Sequence, residues 1–336
     1  MKKVLCVLAL LCCLMTCARG ESAYSGHDMW YTRMAEVNGE VYCLGEPAPL
    51  WVNSAVYRLS PEGKTAVCRQ WNGWEDLYAA GDRLLLVHGV LNVGELLGSI
   101  PLSVREAELL NPETGRITFL TRFTPGEKKG VTDVFAAAGH VYRTVRDGDS
   151  WELQRLGNPD DRGSWQTVVA WTGSVPDARA TFCVIGSGRQ TMLYEYASGK
   201  AYDVTRVAGK VESWSGVMED GVLYRVEKNW LSTWLTATDL TTGEQTQLLR
   251  LEKDGICDFL LDAGRAVILY DKQAGTYRAE TYDRSTWTLT GSVVFSEYPN
   301  DALLMGDWLC VSCPYAEAGA EFVHLTTGEA VSMDLN

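Results

Sequence analysis

The chain has 336 residues, 46% of them hydrophobic and 22% charged. That balance is globular rather than disordered, and the length suits one large repeat domain or two ordinary ones. The net charge of −13 argues against a nucleic-acid partner, because phosphate binding needs a basic surface, and it sets the chain against anionic membranes.

The N-terminus reads as an export signal. Lys2 and Lys3 form a basic start, Val4 to Met15 is an apolar run too short to span a membrane comfortably, and Ala18-Arg19-Gly20 offers small residues for cleavage before Glu21. Residues 1–20 are expected to be a signal peptide, and losing Lys2, Lys3 and Arg19 takes the mature chain to −16. A competing pattern is Leu14-Met15-Thr16-Cys17. It resembles a bacterial lipobox, which makes Cys17 a candidate for lipidation, although Thr16 stands where Gly, Ala or Ser is usual. Either way the chain is expected outside the cytoplasm, touching a membrane only through an N-terminal lipid anchor if it does so at all.

From Glu21 onward the pattern is that of short strands. The stretch from Val217 to Glu252 is the clearest copy: a turn at Asp220-Gly221, an alternating run from Val222 to Val226, a loop with Trp230 and Trp234, a second run from Leu235 to Leu240, a turn at Thr242-Gly243, and a last run from Gln245 to Leu251. Apolar residues at every second position with Gly at the turns describe an antiparallel meander. Two series of turns repeat it. The first, expected between strands A and B, runs Asn38-Gly39, Gly81-Asp82, Gly139-His140, Gly186-Ser187-Gly188, Asp220-Gly221, Ala263-Gly264 and Gly306-Asp307. The second, between strands C and D, includes Pro61-Glu62-Gly63, Pro112 to Gly115, Ser198-Gly199, Thr242-Gly243 and Thr327-Gly328.

The period is about 44 residues with four strands per unit, which is the signature of propeller blades. The expected fold is all-β: one β-propeller over 21–336, with blades at about 29–74, 75–131, 132–178, 179–211, 212–256, 257–300 and 301–336. The fourth is short enough to lack a strand, so six blades remain an alternative. The second carries an apolar insertion between His88 and Arg105.

Six cysteines follow Glu21: Cys43, Cys68, Cys183, Cys257, Cys310 and Cys313. An even count outside the cytoplasm permits disulfides. Each, however, sits in a strand pattern where a small hydrophobe fits, and the Cys310/Cys313 pair points to opposite faces of one strand. Buried free thiols are the expectation, with disulfides and metal or redox chemistry as alternatives.

Function should sit on the face carrying the longer B–C and D–A connections, since loops on a rigid scaffold concentrate binding. The B–C loops are expected to supply Trp51, Trp151, Trp230 and Trp234; the D–A loops Trp71, Trp74, Glu75, Trp171, Trp214 and Asp301. Exposed aromatics with carboxylates suit a carbohydrate or peptide ligand, the ring covering apolar surface and the carboxylate accepting hydrogen bonds. The same tryptophans could instead pack between blades. Asp76, Asp133, Asp177, Asp258 and Asp301 recur at the entry to strand A. They could ring the channel mouth and hold a calcium ion, or each could bond its own backbone. No metal or other cofactor is otherwise indicated, and His27, His88, His140 and His324 are scattered without metalloprotease spacing. An enzyme would be a glycosidase-like one drawing on Asp76, Asp133, Glu212 or Asp258, with no pair singled out. A scaffold without a small ligand is the third reading.

The recurring Gly39-Glu40-Val41-Tyr42, Gly139-His140-Val141-Tyr142 and Asp220-Gly221-Val222-Leu223-Tyr224, with Asn111-Pro112-Glu113-Thr114-Gly115, resemble the extracytoplasmic propellers, lipoproteins among them, of Gram-positive gut bacteria, and more distantly the YWTD-type propellers. The resemblance covers nearly the whole mature chain and implies the fold and an extracytoplasmic setting. Leu223-Tyr224-Arg225-Val226 stands where the YWTD tetrapeptide would, so no functional residue is carried over.

Overall fold

The computed structural model describes residues 34–45, 54–70, 74–89, 104–187, 190–205, 216–228, 230–252, 255–271, 276–297, 299, 301–313 and 319–335. The expected signal peptide, Cys17 and the insertion at 90–103 lie outside these residues.

Seven four-stranded antiparallel sheets follow one another along the chain. Blade 1 holds β1 (Met34–Val37), β2 (Glu40–Gly45), β3 (Ser54–Ser60) and β4 (Gly63–Gln70); blade 2 holds β5 (Trp74–Ala80), β6 (Arg83–Gly89), β7 (Arg105–Leu110) and β8 (Ile117–Phe123). Blade 3 holds β9 (Lys129–Ala137), β10 (His140–Asp147), β11 (Ser150–Asn158) and β12 (Asp161–Thr172); blade 4 holds β13 (Asp177–Ala178), β14 (Phe182–Ser187), β15 (Gln190–Glu195) and β16 (Ala201–Asp203). Blade 5 holds β17 (Val217–Glu219), β18 (Val222–Lys228), β19 (Thr233–Asp239) and β20 (Gln245–Leu251); blade 6 holds β21 (Ile256–Leu261), β22 (Arg265–Asp271), β23 (Tyr277–Asp283) and β24 (Thr288–Phe295). Blade 7 holds β25 (Asp301–Met305), β26 (Trp308–Cys313), β27 (Gly319–His324) and β28 (Ala330–Asp334). The short fourth blade keeps all four strands, so the count is seven.

The turns explain the regularity. Asn38 and Gly39 have φ of 55° and 80°, Ala138 and Gly139 of 47° and 74°, Asp220 and Gly221 of 50° and 76°. Two successive left-handed residues make the tight hairpin turn whose twist matches the strands it joins. The C–D turns use a second device. Asp239 Oδ1 accepts from Thr241 N and Thr242 N at 2.8 Å each, and Asp283 Oδ1 does the same for Ser285 N and Thr286 N at 2.9 Å. One side-chain acceptor thus replaces the backbone partner the turn removes.

One expected turn is corrected. Gly186-Ser187-Gly188 does not join A to B. Gly186 and Ser187 end β14 and lead into β15, a B–C connection, because Asp177–Ala178 already supplies the inner strand. The third blade correspondingly ends before Asp177.

The inner strands β1, β5 and β9 contact in succession, and β25 contacts β1 and β21, so strand A surrounds the axis. Apolar side chains fill each junction between blades. Leu44, Val56, Leu77 and Leu86 join blades 1 and 2; Leu85, Phe135, Tyr142 and Tyr196 run through blades 2 to 4. Phe182, Met218 and Leu223 join blades 4 and 5, and Leu235, Phe259 and Tyr270 join 5 and 6. Leu269, Leu309 and Val323 join 6 and 7, and Met34, Tyr57, Cys310 and Phe322 close 7 onto 1. A sheet with both faces buried in this way needs no helix to cover it.

Candidate functional site

The B–C and D–A connections leave one end of the ring, here called the upper face, and the inner strands begin there. In blades 2, 3 and 6 the start of the inner strand carries a bulge. Pairing jumps from Trp74 to Asp76, from Val131 to Asp133 and from Ile256 to Asp258, leaving Glu75, Thr132 and Cys257 unmatched. The recurring acid is the residue after the bulge. Asp133 Oδ1 accepts from Val134 N at 2.9 Å and Asp258 Oδ1 from Phe259 N at 2.7 Å. Each carboxylate thus takes up the next amide N–H at the point where the ladder is interrupted.

Asp301 does this across the ring seam: buried as the first residue of β25, it accepts from Met34 N at 2.7 Å. At the opposite end of the ring, Thr181 Oγ1, in the turn between β13 and β14, accepts from Met218 N at 2.8 Å and links blades 4 and 5. Asp177 is paired with Arg179 at 2.6 Å. Among the described residues no three His, Cys, Asp or Glu side chains are placed to hold one metal ion.

Blade 2 concentrates charge at this end. Arg105, the first residue of β7, lies 3.0 Å from Glu75 and 3.6 Å from the buried Asp76. On the same blade, buried His88 stands 3.7 Å from Glu106 and 3.8 Å from Glu108, and Glu106 also pairs with Arg122. Burial pushes the Asp133 carboxyl up to about 6, against the pull of the Val134 amide and of the Arg105 guanidinium. Asp177 is also raised by burial.

The aromatic residues divide. Trp230, between β18 and β19, is 81% exposed, and its neighbour Leu231 is 63% exposed. Trp151 is not a loop residue. It lies in β11 opposite Trp171 of β12, both are buried, and the rings stack at 6.4 Å with 9° between planes. Blade 3 has long outer strands, and both rings belong to the apolar core that runs through blades 2 to 4. Trp234 lies in β19, half-buried, with its indole N–H donating to Ser232 Oγ at 3.1 Å. Glu75 and Asp301 are strand residues engaged as described, and Trp74 opens β5. Trp51, Trp71 and Trp214 lie outside the described residues, as does Glu212.

A groove of about 290 Å³ lies on the opposite face, where blades 6 and 7 meet. Arg265, Asp283, Thr290 and Thr326 line it. Its one cation is engaged: Arg265 bonds Asp262 at 2.6 Å and Asp307 at 3.0 Å, a clamp between blades. The bulge series and the Arg105 cluster were not foreseen from sequence; the signal for the first was the acid recurring one residue after a polar or small residue.

No protein-family model matches the chain, and no curated protein does. Solved structures do. The chain is similar to a puromycin-hydrolyzing peptidase of Mycobacterium tuberculosis, at 14% identity and a TM-score of 0.53, over 94% of this chain and 55% of that one. It therefore spans about half the length of that peptidase. It is also similar to Sqt1 of Saccharomyces cerevisiae, at 12% identity and a TM-score of 0.50, over 91% of this chain and 85% of that one. At such identities likeness extends to fold alone, and this chain is a seven-bladed β-propeller.

Proposed function

We propose that the chain is an extracytoplasmic binding module whose upper face recognises a carbohydrate or a peptide. The observation that carries this reading is Trp230, 81% exposed beside Leu231 on that face. A large aromatic held out to solvent on a rigid blade has no packing role there, and it is the residue type that most often anchors a ligand. The carboxylates of the inner strands, by contrast, are engaged by backbone amides and arginines. The location follows from the apolar leader, with Cys17 as the lipid attachment point if the chain is anchored rather than released.

The test is binding of residues 21–336 to glycan and peptide arrays, with calcium and with chelator. A ligand retained by the parent chain and lost by Trp230→Ala supports the reading. Loss in chelator assigns calcium a part in it. A blank on both arrays overturns it in favour of a scaffold without a small ligand.

A second reading is a hydrolase of carbohydrate. It is favoured by Asp133, whose raised carboxyl is suited to donate a proton near neutral pH beside the Arg105 cluster. Turnover of any array ligand, abolished in Asp133→Asn, would establish it.

A further inference from the structure

The seam between the last and first blades gathers sulfur. Among the described residues no strand crosses it: blade 1 is built from β1 to β4 and blade 7 from β25 to β28. Side chains hold it, in one core that contains Met34, Cys43 and Cys310, none more than 1% exposed. Met34 stands directly opposite Cys43 across β1 and β2, so both side chains share the face turned to blade 7. From blade 7, Cys310 Sγ approaches Met34 Sδ to 3.7 Å. The Cys310 thiol is raised well above its usual range by burial first, then by the nearby Cys43 and Asp301. Neither sulfur is part of a disulfide in this structure. Cys183, by contrast, lies in the core of blades 2 to 4, and Cys68 is half-buried.

We infer that Cys43 and Cys310 form a dithiol that oxidises to a disulfide, closing the ring covalently when the chain folds in an oxidising environment. The oxidant is a small disulfide. One protein thiolate attacks it, forming a mixed disulfide and releasing one thiol; the second protein thiolate then attacks the mixed disulfide, forming the Cys43–Cys310 bond and releasing the other. The protein loses two protons and two electrons, and the donor is reduced to two thiols. Burial restricts both steps to the time before blade 7 docks on blade 1. In the finished ring the thiols are protonated and out of reach of reagents. The bond would enclose nearly the whole chain, where a cross-link most restricts the unfolded state. The oxidising environment belongs to the proposed location, but the chemistry does not depend on it, and a defined redox buffer separates the two.

The experiment refolds the protein from denaturant in a glutathione/glutathione-disulfide buffer and, in parallel, in dithiothreitol. The refolded samples are then unfolded in denaturant containing excess alkylating agent, so that buried free thiols are labelled, and non-reduced peptides are mapped by mass spectrometry. The expected result is a Cys43–Cys310 cross-linked peptide in the oxidised sample only. Its melting temperature should be higher by about 5 °C or more, an increment absent in Cys43→Ser and Cys310→Ser. Oxidant added after folding should give little cross-link. If the chain does not refold, the same map is made on protein exported by a host into an oxidising compartment. Full alkylation of Cys43 and Cys310 in the oxidised sample, or linkage of either to another cysteine, overturns the inference.

Discussion

Replacing Asp133 with Asn tests whether burial, rather than a partner, controls the channel mouth. Asparagine keeps an oxygen for the Val134 N–H and removes only the charge. The carboxyl rises from an ordinary value of 3.8 to about 6 in the folded chain, with burial the leading cause. A raised carboxyl binds its proton more tightly when folded. Its contribution to stability is therefore full below about pH 4 and is lost as pH climbs through about 6. Above that the folded ring holds a buried carboxylate that Asn does not. The shift corresponds to roughly 1–3 kcal/mol, the lower figure allowing for solvent at the mouth of the channel. Urea unfolding followed by tryptophan fluorescence, run from about pH 4 to pH 8 on parent and variant, reads the difference directly. Asp133→Asn should gain on the parent as pH rises from about 4 to about 6, and the difference should level off above that. A difference that stays flat, or that favours the parent at pH 8, would refute the assignment and mean that Arg105 compensates the charge in full.

Glu321→Ala should lower unfolding free energy by about 2–4 kcal/mol. Glu321 is buried in β27, and its Oε2 accepts from Ser296 N at 2.8 Å, Ser296 Oγ at 3.0 Å and Glu297 N at 2.8 Å; a loss under about 0.5 kcal/mol in a urea titration would contradict that role. Gly216→Ala should cost about 3 kcal/mol or more, measured as a drop in melting temperature. Gly216 has φ of 137°, and an added Cβ would stand 2.1 Å from the Tyr224 carbonyl oxygen. Trp230→Ala, taken from an exposed site, should leave the melting temperature within about 1 °C while removing ligand retention on the arrays. A melting temperature well below the parent's would show that Trp230 packs in solution.

The fold was legible because its signals are local. Asn38-Gly39 and Asp220-Gly221 adopt left-handed angles within two residues, as Ala138-Gly139 does, and a glycine with positive φ marks the same turn at Gly81 and Gly306. Gly186-Ser187 failed for the same reason: glycine marks a turn without saying which pair of strands it joins, and only the two-residue inner strand Asp177–Ala178 resolves the order. Side-chain placement was less legible. Trp151 and Trp230 look alike in sequence, each beside a turn, yet one stacks on Trp171 and the other faces solvent. What separates them is the neighbouring blade, about which the local sequence is silent. The acids after the bulges were visible as a series, but their partners are amide groups that no residue letter announces.

The uninterrupted strand order within each blade bears on how the chain folds. Among the described residues every ladder joins segments adjacent in sequence, so this native pairing is local, and a blade can pair before the chain beyond it exists. One junction breaks this rule. Met34 and Asp301 meet across 267 positions, a contact whose loop-closure entropy is recovered only when the rest of the ring is curved and in place. Docking of blade 7 on blade 1 should therefore be the last event, giving an open, arc-shaped intermediate with two exposed apolar faces. Such faces can pair between two chains as readily as within one, so the yield of monomeric rings should fall as chain concentration rises during refolding.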